Sequence, residues 1–417
     1  MSYTQFTASI QTKLWQFCDK FKSDFSQAEH RFVKQMIFGI LKGGRVEINS
    51  ISRSLQESIP LKKVHKRLGL HLGKEGLWKQ ITQSTLETHR SLLKGCRFII
   101  HDLSDIQKSY AQTMEGLSWV HDGSKNDNGN GYWLSNISGV DEKGQTIIPL
   151  YSELYSHQAE TCSQNQKILD GLEAVAPYFP QNAVTVMDRG ADRDVILKDL
   201  LEKERDFIIR QNGKRKLFVD HTSHPFKEIS RQVHLKYQHK VKHIHKNKTQ
   251  HLVYDAGAQR VRLSSDGPEL WLVVMKEKKR GYCWLLCHFK EIDSEQEAVS
   301  LALKGYGYRW KIEEVHRQLK QDYALEALRL QRYQALKTMN SLLWMALSFL
   351  YTRLDSIAVD IVYHPKLGLV NRKKLMDTLR FIYYKLAEAV KKILAVADCR
   401  LTKSRPPDNR QTSLALL

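Results

Sequence analysis

Three carboxylates stand where they could hold a hard divalent cation. Asp102 follows Arg97-Phe98-Ile99-Ile100-His101, and Asp188 follows Ala183-Val184-Thr185-Val186-Met187. Both runs read as short apolar strands, each ending at its acid. In an open α/β sheet, ligands and metals gather at the C-terminal strand edge, where a side chain faces the crevice. Mg²⁺ takes oxygen ligands, and convergent carboxylates supply them. A strand-end Asp also serves as a helix cap or turn former, so neither acid decides the matter alone. Asp105 competes with Asp102 but falls past the expected strand end.

Glu313 is the third acid, in Tyr306-Gly-Tyr-Arg309-Trp-Lys-Ile-Glu313-Glu-Val-His-Arg-Gln-Leu-Lys320. At about 100° per residue, Tyr306, Arg309, Glu313 and Lys320 fall within an arc of roughly 60° on one helix. Ile312, Val315 and Leu319 centre about 120° away and form the buried stripe. Glu314 lies about 100° from Glu313, which makes Glu313 the better metal ligand. An ordinary amphipathic helix with a solvated charged face has the same periodicity.

The elements that must position these acids are legible as patterns. Residues 1–94 read as helices, with a break at Gly43-Gly44 and short helical runs at Ile48–Ser54, Leu61–Leu68 and Leu77–Leu93. Such basic helices joined by tight turns suit a helix-turn-helix DNA-binding module, or else a plain helical cap on the next domain. From Cys96 short apolar strands alternate with helices. Gly131–Val140, Thr146–Leu150 and Phe207–Ile209 are further strands, and helices are expected over Ser163–Ala176 and Arg193–Lys203. This alternation indicates a mixed sheet with helices on its faces. Residues 211–290 read mostly as β and interrupt the α/β pattern. Helices resume near Ser294, fill 334–397 with a core helix at Leu342–Leu350, and give way to a loose tail from Leu401.

Composition supplies the partner class. The chain has 417 residues, 42% of them hydrophobic, and a net charge of +20 from 65 Lys plus Arg against 45 Asp plus Glu. Such an excess repels itself in a compact chain and answers an acidic partner, nucleic acid first and an anionic membrane second. Residues 201–250 hold 13 Lys plus Arg against 5 Asp plus Glu and six histidines, which suits a DNA backbone track or a solvated basic loop. No signal peptide and no run of 18 apolar residues is present. The six cysteines are scattered without a C-x-x-C pair, as expected of reduced cytosolic thiols.

The residues then match a family. Tyr306-x2-Arg309-x3-Glu313-x6-Lys320 resembles the Y-x2-R-x3-E-x6-K signature of the insertion-sequence-4 family of bacterial DDE transposases. Asp188-Arg-Gly-Ala-Asp192 looks like that family's second acid, and Asp102-Leu-Ser104 like its first. The wording around Asp105 departs from the common family pattern. The resemblance spans about 95–325. It implies an α/β, ribonuclease-H-like catalytic core with a β-rich insertion, between helical N- and C-terminal regions. The expected division is 1–94 helical and DNA-binding, 95–330 catalytic with the insertion at 211–290, and 331–417 helical.

The resemblance also implies an activity: metal-dependent cut-and-paste transposition of an insertion sequence, with end nicking, a hairpin and strand transfer. Two Mg²⁺ ions, replaceable by Mn²⁺, would sit on Asp102, Asp188 and Glu313. Tyr306, Arg309 and Lys320 would hold DNA phosphates, and Trp284 would stack an extruded base, unless it is a buried strand residue. The implied partners are double-stranded DNA, at terminal inverted repeats and target, and a second copy of the chain in the synaptic complex. The implied location is the bacterial cytoplasm, at the nucleoid. Two other classes fit the same residues: a transposase-derived binder without catalysis, and a metal-dependent nuclease without strand transfer.

Overall fold

The computed structural model describes residues 3–109, 111–122, 127–245, 248–277, 281–369 and 381–396. The side chains of 240–252, within the basic strip, and the tail from 397 lie outside the described residues.

The N-terminal helices are α1 (Tyr3–Asp19), α2 (Gln27–Gly43), α3 (Ile48–Leu55), α4 (Leu61–Leu72) and α5 (Leu77–Leu93). Helix α2 begins with a capping box between Ser26 and Glu29 and ends at Gly44, whose φ of 62° only glycine adopts readily. These helices have no core of their own. Phe6, Ile10, Met36, Ile37 and Leu68 share one continuous apolar cluster with residues of the sheet and of the C-terminal helices. The chain breaks expected near 94 and 330 therefore fall between elements but not between cores.

The first half of the sheet is β1 (Cys96–Gln107), β2 (Ser118–Asp122), β3 (Asp127–Asp141) and β4 (Ile147–Tyr155). Helix α6 (Gln164–Val175) leads to β5 (Val184–Met187), and α7 (Asp194–Glu202) to β6 (Asp206–Arg210). Strand β1 pairs antiparallel with β3 and parallel with β5, and β5 pairs parallel with β6. Strands β4 and β5 are buried at every residue, as continuous apolar runs covered on both faces must be.

Asp102 does not end a strand: β1 continues five residues further, to Gln107. The cause is its two neighbours. Strand β3 keeps pairing through Gln107 opposite Gly131, whereas β5 pairs only with Phe98–Ile100 and stops at Met187. The crevice at Asp102 is opened by the end of β5. Asp105, expected past the strand, lies within it and is buried.

The β-rich stretch also differs from its expectation. After a small hairpin of β7 (Lys216–Val219) and β8 (Thr222–Pro225) comes a helix, α8 (Phe226–Gln232). Strands β9 (Tyr237–His245), β10 (Lys248–Val261), β11 (Leu270–Glu277) and β12 (Gly281–His288) then extend the main sheet. Strand β12 pairs antiparallel with β6, Leu285 opposite Arg210. The path across the sheet is β2-β3-β1-β5-β6-β12-β11-β10-β9, with β4 also on β3. An edge left open at β6 would expose a row of backbone donors and acceptors, and this stretch covers it.

Helices α9 (Glu295–Tyr308) and α10 (Trp310–Gln321) lie on one face of the sheet; α6, α7 and α8 pack on the other. Helix α11 (Tyr333–Arg353) is buried along nearly its whole length, against β4, α5 and α2. Helices α12 (Asp355–Val362) and α13 (Tyr383–Leu394) close the bundle. Among the described residues no single helix is long and apolar enough to cross a membrane.

Candidate active site

Asp102 projects from β1 on the face that carries Phe98 and Ile100, toward α9 and α10, because alternate strand residues share a face. Its side chain is largely buried. Arg309 Nη1 stands 3.5 Å and His316 Nδ1 3.8 Å from its Oδ2. Burial pushes the Asp102 carboxyl up to about 7; Arg309 opposes this, and the nearby carboxylates of Asp188 and Glu313 add to it. Arg309 thus ties Asp102 to Glu313, and Asp188 lies within electrostatic reach of Asp102.

Asp188 directly follows β5 and caps a single 3-10 turn at Arg189–Ala191. Its Oδ1 accepts from the Gly190 backbone N–H at 2.7 Å. A Cβ on Gly190 would stand 2.9 Å from that oxygen, so glycine keeps the turn closed around the acid. Asp192, four residues on, has a different task. It is buried and accepts from Arg215 Nη2 at 2.6 Å and Nε at 3.0 Å, and from the Asn212 backbone at 2.8 Å.

The helix expected to carry Tyr306 through Lys320 is interrupted at Arg309. Tyr306 lies in the last turn of α9, whereas Glu313 and Lys320 belong to α10. Backbone bonds from Arg309 to Tyr306 and from Ile312 to Arg309 span three residues instead of four, which tightens the join. Arg309 keeps helical dihedrals, φ −56° and ψ −35°, so the shared face survives. Its guanidinium lies 5.8 Å from the centre of the Tyr306 ring, and its Nη2 is paired with Glu313. Glu313 is about half exposed at the crevice. Glu314 is turned away, held by Tyr384 Oη at 2.8 Å and Arg317 Nη1 at 2.9 Å.

Two residues expected to meet DNA have partners within the chain. Lys320 is engaged within the chain, 3.1 Å from the buried Asp105 and 3.6 Å from Glu326. Trp284 lies on the opposite face of the sheet from Asp102. Its neighbours Cys283 and Leu285 face α9, while Trp284 packs with the α6–α8 side. Its indole N–H donates to Ser230 Oγ at 2.6 Å, and Phe226 meets it edge-on at 5.6 Å. Trp284 is half-buried at this position.

Several participants were not apparent from sequence. Arg210, at the end of β6, reaches Tyr306 Oη at 3.5 Å. His316 is buried beside Asp102, and Asn136, opposite Asp102 on β3, donates to His316 Nε2 at 2.8 Å. Position 316 falls three residues after Glu313, one turn along the same helix, and that spacing was the available signal. Lys108 fastens the other end of β1. Its ammonium donates to the carbonyls of Leu325, Glu326 and Leu328 at 2.8–2.9 Å, tying down the segment that follows α10.

Among the described residues no three His, Cys, Asp or Glu side chains stand close enough to clasp one ion. Arg309 holds the place between Asp102 and Glu313 as a cation of the chain's own. The donor set nevertheless fits a hard divalent ion. It is all carboxylate, comes from three elements, and carries more negative charge than Arg309 alone offsets. No curated protein matches the chain. Residues 94–349 match a family model described as the transposase DDE domain, a stretch that runs from β1 through most of α11 and contains all three acids. With more than half its length inside that match, the chain belongs to the transposase DDE-domain family.

Proposed function

We propose that this chain is a cut-and-paste DNA transposase of the insertion-sequence-4 group, with Asp102, Asp188 and Glu313 as its catalytic acids. The observation that carries the reading is Arg309, whose guanidinium spans Asp102 and Glu313 beside the end of β5 that Asp188 follows, within the stretch that matches the transposase domain. The strand order β4-β3-β1-β5-β6, with three antiparallel strands followed by two parallel ones, agrees with a ribonuclease-H-like core.

The carboxylates would hold two Mg²⁺ or Mn²⁺ ions, which supply an activated water and a stabilised leaving 3′ oxygen for in-line attack at phosphorus. The chain's residues do the rest. Asp102, paired to β3 and just past the last residue paired to β5, gives a rigid ligand, and Asp188 is pinned by its turn. Glu313, half exposed, closes the set from α10. Arg309 leaves the acids as they are neutralised and turns its planar fork to a DNA phosphate, which guanidinium binds in bidentate fashion. Tyr306 and Arg210 line the same wall. The freed 3′-OH then attacks the opposite strand, displacing the flanking 3′ oxygen and giving a hairpin; a second water opens the hairpin and restores the 3′-OH, which attacks a phosphodiester of target DNA and displaces its 3′ oxygen. Double-stranded DNA is the substrate, two chains pair the element ends, and the reaction belongs to the bacterial cytoplasm. Helices α3 and α4, with Lys62, Lys63 and Lys66 exposed on α4, are the DNA-recognising part of 1–94.

The test is a plasmid carrying the sequences that flank the gene, incubated with the chain and Mg²⁺ or Mn²⁺. Excised element and joined product are expected. Cleavage without joining makes the chain a nuclease; binding without cleavage makes it a binder.

A further inference from the structure

A chain of buried hydrogen bonds runs from α11 to the carboxylate of Asp102. Asn340 Nδ2 donates to the Ser152 backbone oxygen at 3.3 Å and to Ser152 Oγ at 2.7 Å. Ser152 Oγ donates to Asn136 Oδ1 at 2.6 Å, and Asn136 Nδ2 donates to His316 Nε2 at 2.8 Å. His316 Nδ1 then faces Asp102 Oδ2 at 3.8 Å. All four side chains are buried, so each one's donor or acceptor role is set by its neighbour.

The direction of the chain follows from its first member. A backbone carbonyl can only accept, so Asn340 must turn its amide nitrogen toward Ser152. Ser152 Oγ accepts from the same nitrogen and gives its own proton to Asn136 Oδ1. With that oxygen occupied, Asn136 presents its nitrogen to His316. Nε2 is therefore the acceptor, and the neutral imidazole carries its proton on Nδ1, toward Asp102.

We infer that His316 is a positioning residue for Asp102, its Nδ1–H aimed at the carboxylate by a relay that begins at the Ser152 carbonyl. The inference rests on the proposed role of Asp102 as a metal ligand. Arg309 Nη1 faces the same oxygen, Oδ2. When Arg309 turns to a phosphate, His316, whose Nδ1 stands 3.8 Å off and just beyond hydrogen-bond reach, is the donor left to close on the carboxylate and keep it from rotating. Outer partners of this kind are worth about 10–100-fold in metal affinity.

Two measurements on the full chain test it. In chain labelled with ¹⁵N-histidine, the His316 ring, assigned by its loss in His316→Gln, should show Nδ1 protonated and Nε2 bare. An Nε2–H ring overturns the inference. Mn²⁺ titrations then compare two variants. His316→Asn places an amide nitrogen where Nδ1 stood and should bind Mn²⁺ close to the wild-type value. His316→Gln places its amide where Nε2 stood and should bind about 10–100-fold more weakly. Equal loss in both variants, or loss in neither, overturns the inference. Thermal melts run beside the titrations. If either variant fails to fold, the tautomer of the wild-type ring still decides. A wild-type chain that binds no Mn²⁺ fails the proposed function instead, whichever tautomer it shows.

Discussion

Replacing Asp102 by Asn should stabilise the metal-free chain while ending its chemistry. The Asp102 side chain is only 13% exposed, and its carboxyl is pushed from 3.8 up to about 7. The raised folded value fixes the sign. Below about pH 4 the carboxyl is protonated in the folded and the unfolded chain alike and contributes nothing. Between about pH 4 and 7 the folded chain keeps a proton that the unfolded chain releases, so stability falls as pH rises. Above pH 7 the deficit is complete: about three pH units at about 1.36 kcal/mol each, or roughly 4 kcal/mol. Asn has the same shape and no charge, so the variant escapes this deficit. Arg309 keeps its pairing with Glu313. Urea unfolding in EDTA at pH 5 and pH 8 measures the gap between variant and wild type. It should favour the variant and widen by about 3 kcal/mol from the lower pH to the higher. Added Mn²⁺ should narrow it by stabilising only the wild type. A gap of equal size at both pH values, or a wild type that is the more stable at pH 8, would refute the reasoning.

The acids of α10 should separate cleanly. Glu313→Ala is expected to abolish DNA cleavage with DNA binding kept, whereas Glu314→Ala loses only its contacts to Tyr384 and Arg317 and should still cut; a gel of nicked plasmid reads both. Lys320→Ala leaves Asp105 buried and unpaired, which should cost about 3–5 kcal/mol, and Asp105→Asn in the same chain should restore much of it. Loss of DNA affinity without any loss of stability would instead give Lys320 to the phosphates. Trp284→Ala should melt early, by about 3–5 kcal/mol, and lose nicking and hairpin formation together. Selective loss of the hairpin in a well-folded variant would return Trp284 to base stacking. Mn²⁺ affinity should rise about tenfold per pH unit below pH 7 and level off above it, because binding displaces the Asp102 proton. A flat profile between pH 5 and 7 would contradict the raised carboxyl.

The sequence by itself determined the parts whose signal is local. Apolar runs marked β5 and β6, and Asp188 falls directly after β5 as its run predicts. The 3.6-residue period put Ile312, Val315 and Leu319 in the core and left Glu313 at the crevice. The break read at Gly43-Gly44 ends α2, with Gly44 as its cap. Tertiary structure decided what depends on pairing between distant segments. Strand β1 runs past Asp102 through Leu103-Ser-Asp-Ile-Gln107 because β3 supplies its hydrogen bonds, and backbone groups pair alike whatever side chains they carry. Trp284 sits in a strand covered on both faces, where apolar residues occupy both parities and the pattern cannot tell one face from the other. Lys320 read as a free cation until β1 brought Asp105 beside it, 215 residues away in sequence. Asn136, Ser152, His316 and Asn340 have no shared spacing at all. They form one relay only because β3, β4, α10 and α11 converge behind Asp102, where burial leaves each polar group no partner but the next.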